Sequence, residues 1–240
     1  LNEVLLQKPT FVGITSTTPE MLYAIEILRQ VKLALPDTVV IFGGAHATHV
    51  PWEIINEFPE IDYVVVYEGE KAMTAICTND VAKIEEYRTN ASILMETCEV
   101  PNKLRSPKIL LGECQNTTDL ENTIADRSPE TISMDNYMAT DPDFGLLHSD
   151  SVETARGCPY GCAFCSSARS GLAVKSVDTV LEELSLIYEM RKNTGKKLLV
   201  TFLDDTLTFN RDRAARIFEG MLSRQIKVNF RAFTRANTIS

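Results

Sequence analysis

The 240-residue sequence has no apolar run approaching the roughly 20 residues a bilayer-spanning helix needs, and no signal peptide is visible. These absences point to a soluble, cytoplasmic protein whose thiols stay reduced. Positive charge is also in short supply. Against 33 Asp and Glu there are 24 Lys and Arg, and the formal net charge of −9 argues against a general nucleic-acid binder. Histidine is scarcer still: His46, His49 and His148 all lie before Cys165, and neither His nor Cys follows it. A zinc site on the last cysteines would therefore lack a nearby fourth ligand. Cys77, Cys98 and Cys114 match no compact metal spacing and read as buried or linker thiols. His46 and His49 lie close together, but loop histidines are more often solvated or bonded to backbone than metal ligands.

Hydrophobic residues make up 44% of the chain, enough for one large core or two modest ones. The charge is unevenly spread: residues 1–150 carry 10 basic and 24 acidic side chains, and residues 151–240 carry 14 and 9. This shift marks a domain boundary. The chain begins at Leu1 and ends at Ser240 directly after a strand-like stretch, so it is expected to be a fragment.

The densest signal is the run Arg156-Gly-Cys-Pro-Tyr-Gly-Cys-Ala-Phe-Cys-Ser166. Cys158, Cys162 and Cys165 are spaced C-x3-C-x2-C on one short loop, where Gly157 and Gly161 supply backbone freedom. Three thiolates so placed can hold three irons of a cubane 4Fe-4S cluster and leave the fourth open. The rival is zinc with a distant ligand such as His148; an odd number of cysteines suits no disulfide.

Strands and helices alternate ahead of this loop. Strands are expected over 10–15, 38–42 and 63–67, with helices over 19–35, capped by Thr18, and about 51–58. Such alternation predicts a parallel, doubly wound sheet with ligands at the carboxyl ends of its strands. The segments Thr15-Ser-Thr-Thr18, Gly43-Gly-Ala-His-Ala-Thr48 and Glu68-Gly-Glu70 follow those strands and should crowd one edge. From 78 to 150 the periodicity fades into turn signals, including Asn116-Thr-Thr-Asp119, which predicts an acidic connector. A second alternation follows: strands over 151–155, 198–203 and 227–233, and helices from Ser176 to near Lys192 and from Arg211 to Arg224. It reads as the opening of a parallel barrel.

The cysteine loop resembles the signature of the radical S-adenosylmethionine superfamily. The glycine and hydroxyl loops resemble the cobalamin-binding domain that precedes the radical domain in many of its cobalamin-dependent members. The resemblance implies an amino-terminal doubly wound, Rossmann-like cobalamin-binding domain over 1–77, a connector over 78–150, and over 151–240 the first half of a partial (β/α)6 TIM-like barrel. In the cobalamin domain Ser16 and Thr18 would match the hydroxyl loop and Gly43 and Gly44 the Gly-Gly loop, with Glu68 and Gly69 on the same edge. The Asp-x-His-x-x-Gly loop that supplies a cobalt ligand in many cobalamin proteins is absent. In the barrel, Cys158, Cys162 and Cys165 would ligate the cluster and Phe164 would sit beside the adenine, its alternative being a core position. Phe202-Leu-Asp-Asp-Thr-Leu-Thr-Phe-Asn210 resembles the segment whose polar group receives the ammonium of S-adenosylmethionine, which assigns Asp204 and Asp205. The alternative for each is a helix cap or an ion pair with Arg235. Arg235 would contact a carboxylate or phosphate.

The implied function is that of a cobalamin-dependent radical enzyme. The cluster would cleave S-adenosylmethionine to a 5'-deoxyadenosyl radical for methyl transfer to an unactivated carbon of a small-molecule substrate, with flavodoxin or ferredoxin as reductant. The alternatives are an oxidative cyclase of the anaerobic magnesium-protoporphyrin ester type, a transfer-RNA methylthiotransferase, or a non-catalytic corrin carrier or sensor. The last has no need of the three cysteines.

Overall fold

A computed structural model of the chain describes residues 1–97, 106–112, 120–128, 138–141, 145–165, 167 and 171–239. They fall into two compact units, Leu1–Cys114 and Gln115–Ser240.

In the first unit, β1 (Phe11–Thr15), β2 (Val39–Gly43), β3 (Tyr63–Val66) and β4 (Ile109–Leu111) form a wholly parallel sheet in that order. Successive strand side chains point to opposite faces, and both faces are covered. Val40, Phe42, Val64, Val66 and Ile109 pack with Ala24, Ile25, Leu28 and Val31 of one helix and Ile54 and Ile55 of another. Ile41, Val65 and Leu110, from the intervening positions, pack with Ala72, Ala75, Ile76, Ile84 and Tyr87. The helices are α1 (Asn2–Gln7), α2 (Met21–Ala34), α3 (Gly44–His49), α4 (Pro51–Glu57), α5 (Glu70–Thr78) and α6 (Val81–Thr97).

Two expectations shift by a residue or a turn. Thr17 rather than Thr18 closes a capping box with Glu20, on the 3-10 turn Thr18–Glu20 that precedes α2. The glycine segment after β2 is not an open loop but winds into α3. The stretch 78–150 departs further from the expected connector. It supplies α6 and β4 to the first unit, and β5 (Met138–Asp141) and most of β6 (Gly145–Val152) to the second. In α6 the buried Ile84, Tyr87, Ala91 and Met95 share a helical period, but exposed Val81 and Ile93 break the pattern and Thr89, Asn90 and Ser92 are poor helix formers. The expected turn at 116–119 lies outside the described residues, as do Cys98 and Cys114.

In the second unit, β6, β9 (Leu198–Phe202) and β10 (Asn229–Arg231) run parallel, and β5 pairs antiparallel on the outer side of β6. The first barrel strand therefore starts at Gly145 rather than Ser151, its early half masked in sequence by His148 and Asp150, both buried. Helices α7 (Val177–Arg191) and α8 (Arg211–Ser223) begin at side-chain caps: Ser176 Oγ accepts from Thr179 N, and Asn210 Oδ1 from Arg213 N. Their Val180, Leu184, Ile187 and Ile217 close over Val152, Val200 and Phe202. Two short strands, β7 (Ala155–Arg156) and β8 (Ala173–Val174), pair antiparallel at either end of the cysteine loop.

Candidate functional sites

The first site lies at the carboxyl ends of β1, β2 and β3, where the register sets Thr15 opposite Gly43. A cavity of about 460 Å3 opens there, lined by Gly13, Gly43, Gly44, Tyr67, Glu68 and Gly69 among others. Gly44 turns the chain out of β2 with φ 90°, and a Cβ on it would stand 2.1 Å from Thr15 Oγ1 and 3.1 Å from Ser16 N. No side chain fits that approach. Backbone bonds join the two loops: Ser16 N donates to Gly43 O at 3.4 Å, and His46 N donates to Ser16 O at 3.2 Å.

Ser16 is 5% exposed, and its Oγ is buried without a hydrogen-bond partner among the described residues. An unmet buried hydroxyl costs on the order of 1–3 kcal/mol, so it marks a place suited to a polar ligand atom. Thr18 is engaged elsewhere, its hydroxyl meeting His46 Nδ1 at 3.0 Å. His49 Nδ1 is 2.7 Å from Ala45 O, a backbone contact of the kind expected for a loop histidine. Tyr67, which sequence reasoning did not single out, takes φ 62°, uncommon outside glycine. Its N–H donates to Thr48 Oγ1 at 3.0 Å, and that hydroxyl donates to Gly44 O at 3.0 Å. The strained residue is thus anchored to the glycine turn, and no residue-type signal could have shown it.

The second site is the cysteine loop. Pairing of Ala155 with Val174 and Arg156 with Ala173 makes it leave and return at one point. Cys158 is buried, its Sγ 3.7 Å from Thr206 Oγ1. Cys162 Sγ accepts from the Arg235 guanidinium at 2.7 Å, and the same guanidinium lies 4.4 Å from the Tyr160 ring centroid. Cys165 is exposed, and its N–H donates to Cys162 O at 3.1 Å. Phe164 is 93% exposed and takes no part in the core. Among the described residues, no three His, Cys, Asp or Glu side chains are gathered closely enough to hold a metal ion. The donor chemistry suits an iron-sulfur cluster, and Cys158 and Cys162 already face polar partners, but the three thiols have not converged. Nor does His148, buried on β6, complete a metal group.

The paired aspartates part company. Asp204 is 1% exposed and accepts from Thr154 N at 2.7 Å and from the Thr154 hydroxyl. Burial raises its pKa above the ordinary carboxylate value, opposed by hydrogen bonds from Thr154 and Ala155 and by the charge of Arg213. Each oxygen of Asp204 thus already accepts a hydrogen bond within the fold. Asp205 is exposed, and its carboxylate makes no hydrogen bond or ion pair among the described residues. Arg235 pairs with neither of them but reaches the cysteine loop.

Comparison with known proteins covers both sites. Residues 1–77 match the family described as "B12 binding domain". Over 97% of its length the chain is 34% identical to an uncharacterized methyltransferase of Pyrococcus horikoshii, of which it spans 47%. It is 25% identical, again over 97%, to the anaerobic magnesium-protoporphyrin IX monomethyl ester cyclase of Rubrivivax gelatinosus, of which it spans 40%. The chain thus spans about half or less of these curated relatives. Among solved structures, OxsB, a cobalamin-dependent S-adenosylmethionine radical enzyme solved with aqua-cobalamin and S-adenosylmethionine bound, aligns over 95% of this chain and 31% of its own at TM-score 0.55 and 17% identity. That identity supports likeness of fold. The resemblance expected from the cysteine and glycine loops is borne out, as is the α/β fold class.

Proposed function

We infer that this chain is the cobalamin-binding and cluster-binding portion of a cobalamin-dependent radical S-adenosylmethionine enzyme of the methyltransferase type. One observation carries the reading. Residues 1–77, which match the B12 binding domain, enclose a cavity where the Gly44 turn brings backbone against the hydroxyl loop, and a closed three-cysteine loop follows in the second unit. A carrier or sensor has no use for the second feature.

Gly43, Gly44, Glu68 and Gly69 would line the space for the corrin's nucleotide tail, and the unpartnered Ser16 Oγ would meet a polar atom of it. Thr18 would act through His46. Cys158, Cys162 and Cys165 would ligate the cluster. When bound, the cluster supplies the electron that cleaves S-adenosylmethionine, and cobalamin supplies a methyl group for an unactivated carbon of a small molecule. Asp205 would receive the ammonium of S-adenosylmethionine and Phe164 would flank its adenine. Arg235 would shift between the Cys162 sulfur and a carboxylate of the cofactor, both acceptors for a guanidinium. The similarity to the Rubrivivax cyclase supports a second outcome, oxidative ring formation on the same two units. The reductant would be a small electron carrier of the flavodoxin or ferredoxin kind. No described helix is long and apolar enough to cross a membrane.

The test is anaerobic reconstitution of the full chain with iron and sulfide, then addition of hydroxocobalamin, S-adenosylmethionine and dithionite. The expected result is retained corrin after gel filtration and release of 5'-deoxyadenosine. One equivalent of zinc with no iron uptake overturns it.

A further inference from the structure

The cysteine loop stands on two feet. Thr154 precedes β7 and Lys175 follows β8, and Lys175 N donates to Thr154 O at 2.9 Å. Both feet are held by buried charged groups. The Arg213 guanidinium, on α8, donates to Thr154 Oγ1 at 3.0 Å, to Thr154 O at 2.8 Å and to Lys175 O at 2.9 Å. Asp204 also accepts from the Thr154 amide and hydroxyl. Lys175 Nζ donates to Glu183 at 2.7 Å, Glu183 accepts from Arg127 at 2.9 Å, and Arg127 donates to Asp150 at 3.1 Å. Acids and bases balance, three of each, and Arg213, Lys175, Asp204 and Glu183 are all 5% exposed or less.

Two consequences separate this arrangement from ordinary packing. A buried ion pair stabilises a fold little compared with apolar side chains of the same volume, so bulk stability does not by itself account for a net of them at the ends of this loop. The segment that supplies Asp204 also supplies Thr206, whose hydroxyl meets Cys158 Sγ at 3.7 Å, and between them the exposed Asp205. One short stretch thus ties a foot of the loop to its first cysteine and carries the exposed Asp205 between those two contacts.

We propose that Arg213 and Asp204 are positioning residues that act through Thr154 to fix the cysteine loop and Asp205 in one geometry. The proposal rests on reading that loop as the cluster site. Partners behind metal ligands are typically worth about 10–100-fold in metal affinity, and these hold the whole loop rather than one ligand.

The test compares the reconstituted full chain with Arg213→Gln, Arg213→Lys, Thr154→Val and Ile217→Ala. Ile217 is a buried position on the same helix that makes none of these hydrogen bonds. Iron loss to a chelator is followed beside the thermal midpoint, and S-adenosylmethionine is titrated by its effect on the electron paramagnetic resonance spectrum of the reduced cluster. Arg213→Gln and Thr154→Val are expected to lose iron about tenfold faster than the parent and to need about tenfold more S-adenosylmethionine. Arg213→Lys should recover part of both, and Ile217→Ala should lose thermal stability while holding iron at the parent rate. Thr154→Val, which keeps the amide bond to Asp204, decides the matter should Arg213→Gln not fold. Iron loss that tracks the thermal midpoint across all variants overturns the positioning role. A parent that takes up no cluster overturns the reading of the loop itself.

Discussion

The glycine-lined cavity of the first unit and the cysteine loop of the second, proposed here as the cobalamin and cluster sites, differ in how far each is already formed. In the first, the backbone is already arranged: Gly44 is turned, Tyr67 is held at positive φ, and Ser16 Oγ is buried and unpartnered around a cavity of about 460 Å3. In the second, the ends of the loop are held by hydrogen bonds, but the three thiols are not gathered into a metal-binding group among the described residues. The feet of the loop are pinned by buried charges, while Cys158 is buried and Cys165 is exposed. A large organic ligand is recognised by shape, so its concavity must be formed beforehand. A cluster is held by iron-thiolate bonds whose energy can itself draw a loop together.

The comparison breaks most sharply at the cysteines. Replacing Cys158, Cys162 or Cys165 with Ala should reduce uptake from about four irons per chain to none that survives gel filtration, with corrin uptake unchanged. Corrin lost along with the iron would show that the two sites are not independent. Gly44→Trp tests the preformed side. With the Cβ position already 2.1 Å from Thr15 Oγ1, it should weaken corrin binding about 100-fold or more and leave iron content at the parent value. Equal corrin retention, read by visible absorbance, would move the cobalamin site elsewhere.

Smaller effects sharpen the contrast. Asp205→Ala should weaken S-adenosylmethionine binding by about tenfold, one charge-assisted hydrogen bond, without changing iron content. Unaltered binding by equilibrium dialysis would make Asp205 a bystander. Asn210→Ala removes the acceptor for Arg213 N and should cost about 1 kcal/mol in denaturant unfolding of the second unit. Thr17→Ala, at an exposed capping box in the first unit, should cost less. A larger loss at Thr17 would mean that helix entry in the first unit is as dependent on its cap.

The strands and helices were legible wherever apolar residues repeat without interruption. β1, β2 and β3 lie within two residues of their expected places because both faces of the sheet are covered, which leaves a continuous apolar run in the sequence. The helices capped by Ser176 and Asn210 were legible for the same reason. β6 and α6 were not, since His148 and Asp150 are polar yet buried and Val81 and Ile93 are apolar yet exposed.

For the sites, the sequence by itself determined what depends on neighbours along the chain. The C-x3-C-x2-C spacing puts three thiols on one loop, and a Gly-Gly pair after a strand lets backbone turn where a side chain cannot. Tertiary structure alone decided how Asp204 and Asp205, adjacent and chemically identical, come to differ, one buried and one exposed. Thr154, which claims Asp204, is 50 residues away, and Arg213, which braces Thr154, is 59 residues from it. Burial and hydrogen bonding of that kind arise only when distant strands and helices are brought together, and no local pattern of residues encodes which of two equal carboxylates will face inward.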